Sequence, residues 1–165
     1  MIWRLRSSAA WNRALARVDP ARYRDRLKID AGEPIRLGPA AQDWQQADFE
    51  ALDPAWLALA GREDQAPYRR AYLERPRGHS KTADLAVMVA WLLAYGRRGV
   101  EGIAAAADQD QAALLQRAIV RLLELNPSLA CRLEARQHLV RNPATGSRLE
   151  VISSDVRSSW GALPD

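Results

Sequence analysis

The chain has 165 residues, of which 48% are hydrophobic and 27% are charged, a composition typical of one soluble globular domain. Its single cysteine, Cys131, excludes an internal disulfide and suits a reducing cytosol. The net charge of +4 permits a polyanionic partner without requiring one. The longest apolar run, Leu85 to Tyr95, is shorter than the roughly 20 residues of a membrane span, and the N-terminus lacks the apolar segment of a signal peptide.

Residues 1–40 are predicted to form a helical arm and a linker. Asp19-Pro20 divides two short helices over 7–28, with Asp19 capping the second helix and Pro20 at its first position. The stretch 30–40 contains two glycines and two prolines, which predicts a linker. The arginine-rich face of the arm either contacts DNA phosphate or is a solvated helix surface.

From residue 41 onwards the pattern is typical of an α/β domain. Residues 41–60 predict a pair of helices interrupted at Asp53-Pro54. A short strand is predicted over 70–74, ahead of a loop. The following helix, Lys81–Tyr95, is apolar on nearly every side, so we expect it to be buried.

The second half of the chain continues this alternation. A strand of small residues is predicted over 100–107, then a helix over 109–125 for which Asp108 is a good cap. Residues 138–154 predict a hairpin around the turn 142–146. The order of elements predicts helices that cover a largely parallel sheet.

The loop at 75–82, "RPRGHSKT", ends like the phosphate-binding pattern G-x-x-x-x-G-K-[ST] but has Arg75 and Ser80 in place of its glycines. That site needs backbone N–H groups around the phosphates, a lysine on the β- and γ-phosphates, and a hydroxyl on Mg²⁺. Lys81 and Thr82 stand in the required order at a predicted helix start. Only two of the 24 basic residues are lysines, so a lysine at this position is informative. The alternative is that Ser80 to Thr82 only cap a core helix.

The loop and its neighbours together resemble the ATPase domain of the large terminase subunit of tailed bacteriophages. The similarity covers roughly residues 42–165 and consists of several stretches in the order in which the family has them. It implies a P-loop NTPase of RecA-like, three-layer architecture: 1–40 would be an extension and 41–165 an incomplete ATPase domain. The matching stretches are "DWQQADFEALDPAW", "YLERPRGHSKTADLA", "GIAAAADQDQAALL" and "NPATGSRLEVISSDVRSSWGALPD".

The resemblance also implies roles for individual loop residues. Lys81 would contact the β- and γ-phosphates of ATP, and the hydroxyl of Thr82 would bind Mg²⁺. Arg77 matches an arginine that stabilises the γ-phosphate, as an arginine finger does. Further nucleotide contacts are implied for Arg75, Gly78, His79 and Ser80.

Three weaker matches each have an ordinary structural alternative. Gln45, in the pair Trp44-Gln45, is either the adenine-side glutamine or part of a polar helix start. Asp108 and Gln109 follow a strand, where sites gather in α/β proteins, or they simply cap a helix. Ser153 to Asp155 form either a switch-like loop or an ordinary turn.

By the same resemblance, the full protein would use ATP hydrolysis to move double-stranded DNA into procapsids in the cytoplasm of a host bacterium. Its implied partners are DNA, the small terminase subunit, the portal protein and further copies of itself. The Walker B acid and the catalytic glutamate of the family would follow Asp165, so this chain alone is expected to be inactive as an ATPase. The alternatives are another P-loop motor such as a helicase, and a truncated, non-catalytic prophage remnant.

Overall fold

The computed structural model describes residues 18–107 and 109–153. The first part of the predicted arm, Asp108, Ser154 and Asp155 lie outside the described residues, as does the predicted tail loop. The helices are α1 (Pro20–Arg26), α2 (Leu37–Ala40), α3 (Asp43–Leu59), α4 (Lys81–Tyr95), α5 (Gln109–Leu125) and α6 (Pro127–Ala130). The strands are β1 (Lys28–Asp30), β2 (Pro34–Arg36), β3 (Glu101–Ala106), β4 (Glu134–Arg136), β5 (Leu139–Asn142) and β6 (Ser147–Ser153).

Helix α1 begins as predicted. The Asp19 carboxylate accepts a hydrogen bond of 3.0 Å from the backbone N–H of Arg22, and Pro20 occupies the first turn. The helix packs onto the rest of the described chain, since the ring of Tyr23 contacts that of Tyr95 edge-on at 5.8 Å. The division of the chain at residue 40 stays a prediction.

The linker predicted over residues 30–40 is wrong, because this stretch is mostly regular structure. Strands β1 and β2 pair antiparallel around a turn in which Gly32 has φ +92° and donates to the Asp30 carboxylate at 3.0 Å. Gly38 lies in α2, where a Cβ atom would stand 2.6 Å from the backbone of Asp25. The glycines therefore serve a tight turn and a close helix contact.

Helix α3 is continuous, so the break predicted at Asp53-Pro54 is wrong. Pro54 cannot donate to the carbonyl of Glu50, but both residues are exposed and water can bond that carbonyl instead. Arg24 of α1 also fixes this part of the helix through two hydrogen bonds to the Asp53 carboxylate, at 2.7 and 2.6 Å.

The strand predicted over 70–74 does not form. Residues 66–80, between α3 and α4, contain no helix or strand: 70–76 are irregular, and turns and bends follow over 77–80. A strand needs a neighbour to pair its backbone groups, and no described strand pairs with this segment. The other predicted elements of this half are confirmed: α4, β3, α5 and the β5–β6 hairpin lie within one or two residues of their predicted limits.

The four-stranded sheet has the order β3-β6-β5-β4. Strand β3 pairs parallel with β6, whereas β6 with β5 and β5 with β4 pair antiparallel. A largely parallel sheet is therefore wrong for the described residues, because the hairpin and the unpredicted β4 supply the antiparallel pairs.

Helices α4 and α5 cover one face of this sheet. Inward-facing Val140, Leu149 and Val151 are buried against them, and the amide of Asn142 donates to the Leu93 carbonyl of α4 at 2.9 Å. The opposite face is exposed and includes Ile103. The four-stranded sheet and the helices α4 and α5 thus form two layers, and the third layer of the RecA-like architecture stays a prediction. None of the described helices has the length and apolarity to cross a membrane.

Candidate phosphate-binding site

The loop 75–80 leads directly into the first turn of α4. Gly78 has φ +85° and Ser80 has φ +49°, so the loop contains two left-handed residues, one of which is not glycine. Ser80 is thus in the strained conformation expected for a residue that replaces the last glycine of the pattern. Left-handed residues in such a loop turn successive N–H groups towards one concave side, which favours anions.

Several backbone N–H groups of this loop have no hydrogen-bond partner in the part of the chain that the structure describes. The first helical N–H with an acceptor is that of Asp84, which bonds the Ser80 carbonyl at 2.8 Å. His79 N–H makes a long bond of 3.4 Å to the Pro76 carbonyl. Within the described residues, no acceptor is bonded to the N–H groups of Gly78, Ser80, Lys81 or Thr82. These donors are available to a bound anion.

The Lys81 ammonium lies across the loop. Its Nζ donates to the carbonyl oxygen of Arg75, the first loop residue, at 2.5 Å. A phosphate oxygen is charged and would be a stronger acceptor than this neutral carbonyl. Thr82 is half-buried, and its hydroxyl bonds none of the described residues. A hydroxyl at this position fits the oxygen ligands that Mg²⁺ prefers.

The Arg75 guanidinium forms ion pairs with two carboxylates. It lies 2.5 Å from an oxygen of Asp84 and 2.6 Å from an oxygen of Asp48. Burial alone would lower the pKa of Arg75, but the hydrogen bonds that it donates to Asp84 and Asp48 raise that pKa above its ordinary value. Direct contact between Arg75 and phosphate stays a prediction. In this structure the side chain instead pairs with Asp48 and Asp84.

Asp84 and Gln45 form the buried side of the same cluster. Asp84 is 2% exposed, and burial raises its pKa although the Arg75 guanidinium and the Gln45 amide oppose that shift. Gln45 Nε2 donates to Asp84 at 3.0 Å, and its Oε1 accepts from the backbone N–H of Gln42 at 3.1 Å. The adenine-side role of Gln45 stays a prediction, and in this structure its amide bonds Asp84 and the Gln42 backbone.

Arg77 differs from Arg75 although both belong to one loop. Arg77 is exposed, and its guanidinium has no ion-pair partner among residues 18–107 and 109–153. His79 is also exposed, and its ring lies 5.7 Å from that of Trp44. The remaining candidates are not placed, because Asp108, Ser154 and Asp155 lie outside the described residues and the side chains of Gln109 and Ser153 are not described.

A mostly apolar cavity of about 590 Å³ adjoins the loop between α3, α4 and the segment 66–73. Lys81 and Thr82 are among its lining residues, together with apolar side chains of α3 and α4 and residues of that segment. The phosphate-binding candidates therefore stand at the edge of an apolar space rather than on a flat surface.

Sequence reasoning missed Asp48 and Asp84. Asp84 nevertheless left a signal, since it is the single acid in the otherwise apolar stretch of α4 that the pattern predicts to be buried. A buried carboxylate needs a cationic partner, and arginine is the usual one. The contact of Asp48 with Arg75 could not be predicted in this way, because an acid on a helix of mixed polarity is normally solvated.

We expect Ser80→Gly to raise the free energy of unfolding by about 0.5–1 kcal/mol, because glycine removes the left-handed strain and Ser80 makes no capping hydrogen bond. Chemical denaturation measures the change. The matched control is Gly78→Ala, which introduces strain where no steric contact exists and should lower the free energy by about 1 kcal/mol. A destabilised Ser80→Gly variant would contradict the left-handed conformation.

No protein-family model and no curated protein sequence matches the chain. Among solved structures, the crystal structure of the large terminase of bacteriophage HK97 is similar, with a TM-score of 0.63 and 20% sequence identity over 83% of this chain. The match spans 27% of that terminase chain. At this identity the likeness shows the fold, and it confirms the terminase-like α/β architecture expected from the sequence.

Proposed function

We propose that this chain is the ATP-binding part of a DNA-packaging motor of the large-terminase type. The observation that supports it most is the loop before α4, where left-handed Gly78 and Ser80 precede Lys81 in a fold shared with a terminase. Unpartnered N–H groups beside an ammonium favour an anion, and in this sequence order the anion is a nucleotide polyphosphate.

In the proposed complex, the loop N–H groups and Lys81 hold the β- and γ-phosphates of ATP. Lys81 exchanges the Arg75 carbonyl for a phosphate oxygen, and the hydroxyl of Thr82 is the ligand for Mg²⁺, which would offset phosphate charge. The exposed Arg77 reaches the γ-phosphate and stabilises the charge that develops during transfer.

Hydrolysis also needs a carboxylate that is free to orient water. Asp48 and Asp84 lie beside the loop, but both bind Arg75 and are not free for this task. We therefore assign nucleotide binding to this loop and water activation to other residues. In the complete motor, the partners would be double-stranded DNA, the small terminase subunit, the portal protein and further copies of this subunit.

The decisive experiment is titration of the chain with Mg·ATP, comparing wild type with Lys81→Ala. Loss of one charge-assisted contact, worth about 1.5–3 kcal/mol, should weaken binding by about 10- to 100-fold. The matched control is Lys28→Ala, which removes the other lysine, exposed on β1, and should leave the affinity unchanged.

Three outcomes have distinct meanings. Selective weakening in Lys81→Ala supports the proposal. Equal affinities of wild type and Lys81→Ala would exclude the loop as the nucleotide site. Absence of binding in wild type would favour the non-catalytic remnant.

A further inference from the structure

Arg75 has a buried side chain although it belongs to an exposed loop. Its side chain is 6% exposed, whereas residues 76–80 are all exposed. Asp48, which it binds through Nε and Nη2, lies on α3, and Asp84, which it binds through Nη1, lies on α4. One guanidinium therefore connects the start of the loop to two helices.

Arg75 also connects the two ends of the loop to each other. Its Nη1 lies 3.3 Å from the carbonyl of His79, and its own carbonyl accepts from Lys81. Among the described residues, the other hydrogen bonds within 75–80 are long: the His79 N–H donates to the Pro76 carbonyl at 3.4 Å, and the His79 ring nitrogen lies 3.3 Å from the Arg77 carbonyl. The order of this loop thus depends mainly on contacts that Arg75 makes.

The surroundings of Arg75 suit a guanidinium and not an ammonium. The guanidinium carbon of Arg75 lies 4.7 Å from the ring centre of Trp44, in the geometry of a cation–π contact. The planar fork reaches Asp48 and Asp84 at the same time, which a lysine cannot reproduce. Gln45 in turn holds Asp84 from the side of α3.

We infer that Arg75 is a positioning residue, which fixes the phosphate loop through Asp48 and Asp84 and sets nucleotide affinity without touching the nucleotide. This rests on the proposed function for the identity of the ligand. Because Arg75 lies on a loop, its guanidinium reaches water when the loop opens, and the buried Asp84 carboxylate keeps the hydrogen bond from Gln45. The expected consequence is a disordered loop on an intact fold.

The test is amide hydrogen exchange on the full chain without nucleotide, combined with titration by Mg·ADP. Arg75→Gln should speed exchange in the peptide 76–84 by about tenfold and weaken Mg·ADP binding by a similar factor, with exchange in α5 unchanged. The matched control is Arg77→Gln, which alters the arginine of the same loop that has no ion-pair partner among the described residues, and which should leave exchange as in wild type. Arg75→Lys should behave like Arg75→Gln, because it keeps the charge but loses the fork.

Unchanged loop exchange in Arg75→Gln would overturn the inference. Exchange in α5 that rises as much as exchange in the loop would also overturn it, because Arg75 would then only stabilise the whole fold. If Arg75→Lys showed wild-type loop exchange and Mg·ADP affinity, the positive charge alone would be enough and the planar guanidinium would not be required. If Arg75→Gln does not fold, Asp48→Asn is the substitute, because it keeps the ion pair of Arg75 with Asp84. It should speed loop exchange by about threefold. Unchanged loop exchange in Asp48→Asn would overturn the inference. If the ATP proposal itself is wrong, Lys81→Ala will bind nucleotide as wild type does. The exchange rates are measured without nucleotide, so they still decide whether Arg75 fixes the loop.

Discussion

Arg24→Ala is expected to lower the free energy of unfolding by about 3 kcal/mol, the lower end of the range for one partner of a buried ion pair. The side chain of Arg24 is 5% exposed and that of Asp53 is 17% exposed, and two hydrogen bonds join them. The guanidinium also lies 4.4 Å from the ring centre of Phe49, so the variant loses packing as well as charge. Urea denaturation followed by circular dichroism measures the loss.

Two control variants separate the ion pair from other effects. Arg22→Ala removes an exposed arginine of the same helix and should change the free energy by less than about 0.5 kcal/mol. The double variant Arg24→Met with Asp53→Leu removes both charges and should recover most of the loss, because apolar residues of similar volume replace buried pairs well. A double variant as unstable as Arg24→Ala would mean that the ion pair is not the source of the loss.

Loss of the Arg24 ion pair and loss of the Arg75 ion pairs are expected to affect different properties of the protein. Arg24 and Asp53 both belong to helices, so neither charge can reach water unless a helix moves. Arg75 belongs to a loop, so its charge reaches water when the loop opens, and its buried partner Asp84 on α4 then keeps the hydrogen bond from Gln45. The first pair therefore contributes to the stability of the whole fold, and the second contributes to the order of the site.

The helices and strands that were predicted correctly are those with a strong local pattern. Helix α4 is a long apolar stretch, α5 has an apolar stripe at helical spacing, and β5 and β6 flank a clear turn. The errors lie where tertiary structure decides. Pro54 is tolerated because it is exposed, and residues 70–74 stay irregular because no described strand pairs with them.

The candidate site was predictable in its sequence order but not in its contacts. Lys81 and Thr82 follow a known pattern, and the left-handed φ of Ser80 is what its place in that pattern requires. The anchoring of Arg75 was not predictable, because its two carboxylates lie 27 residues before it and 9 residues after it, on different helices. Periodicity shows which face of a helix is apolar, but it does not show which distant charges meet.

Trp91→Ala is expected to lower the free energy of unfolding by about 3–5 kcal/mol, the range for truncation of a large buried aromatic residue. Trp91 is 1% exposed and lies on α4, the helix that begins at Lys81. Its indole Nε1 donates to the Val18 carbonyl at 2.9 Å, and the Arg62 guanidinium lies 5.0 Å from the ring centre. Truncation would thus leave a cavity where the N-terminal segment, α4 and Arg62 meet.

Guanidinium chloride denaturation of a graded series tests this expectation. Trp91→Phe keeps most of the volume, and the Val18 carbonyl keeps its hydrogen bond from Arg62, so the loss should be only about 1–2 kcal/mol. Trp44→Ala removes a tryptophan that is 40% exposed and should cost less than Trp91→Phe, about 1 kcal/mol. If Trp91→Ala were no less stable than Trp44→Ala, α4 would not be held by this contact, and the packing that supports the candidate phosphate-binding loop would have to lie elsewhere on the helix.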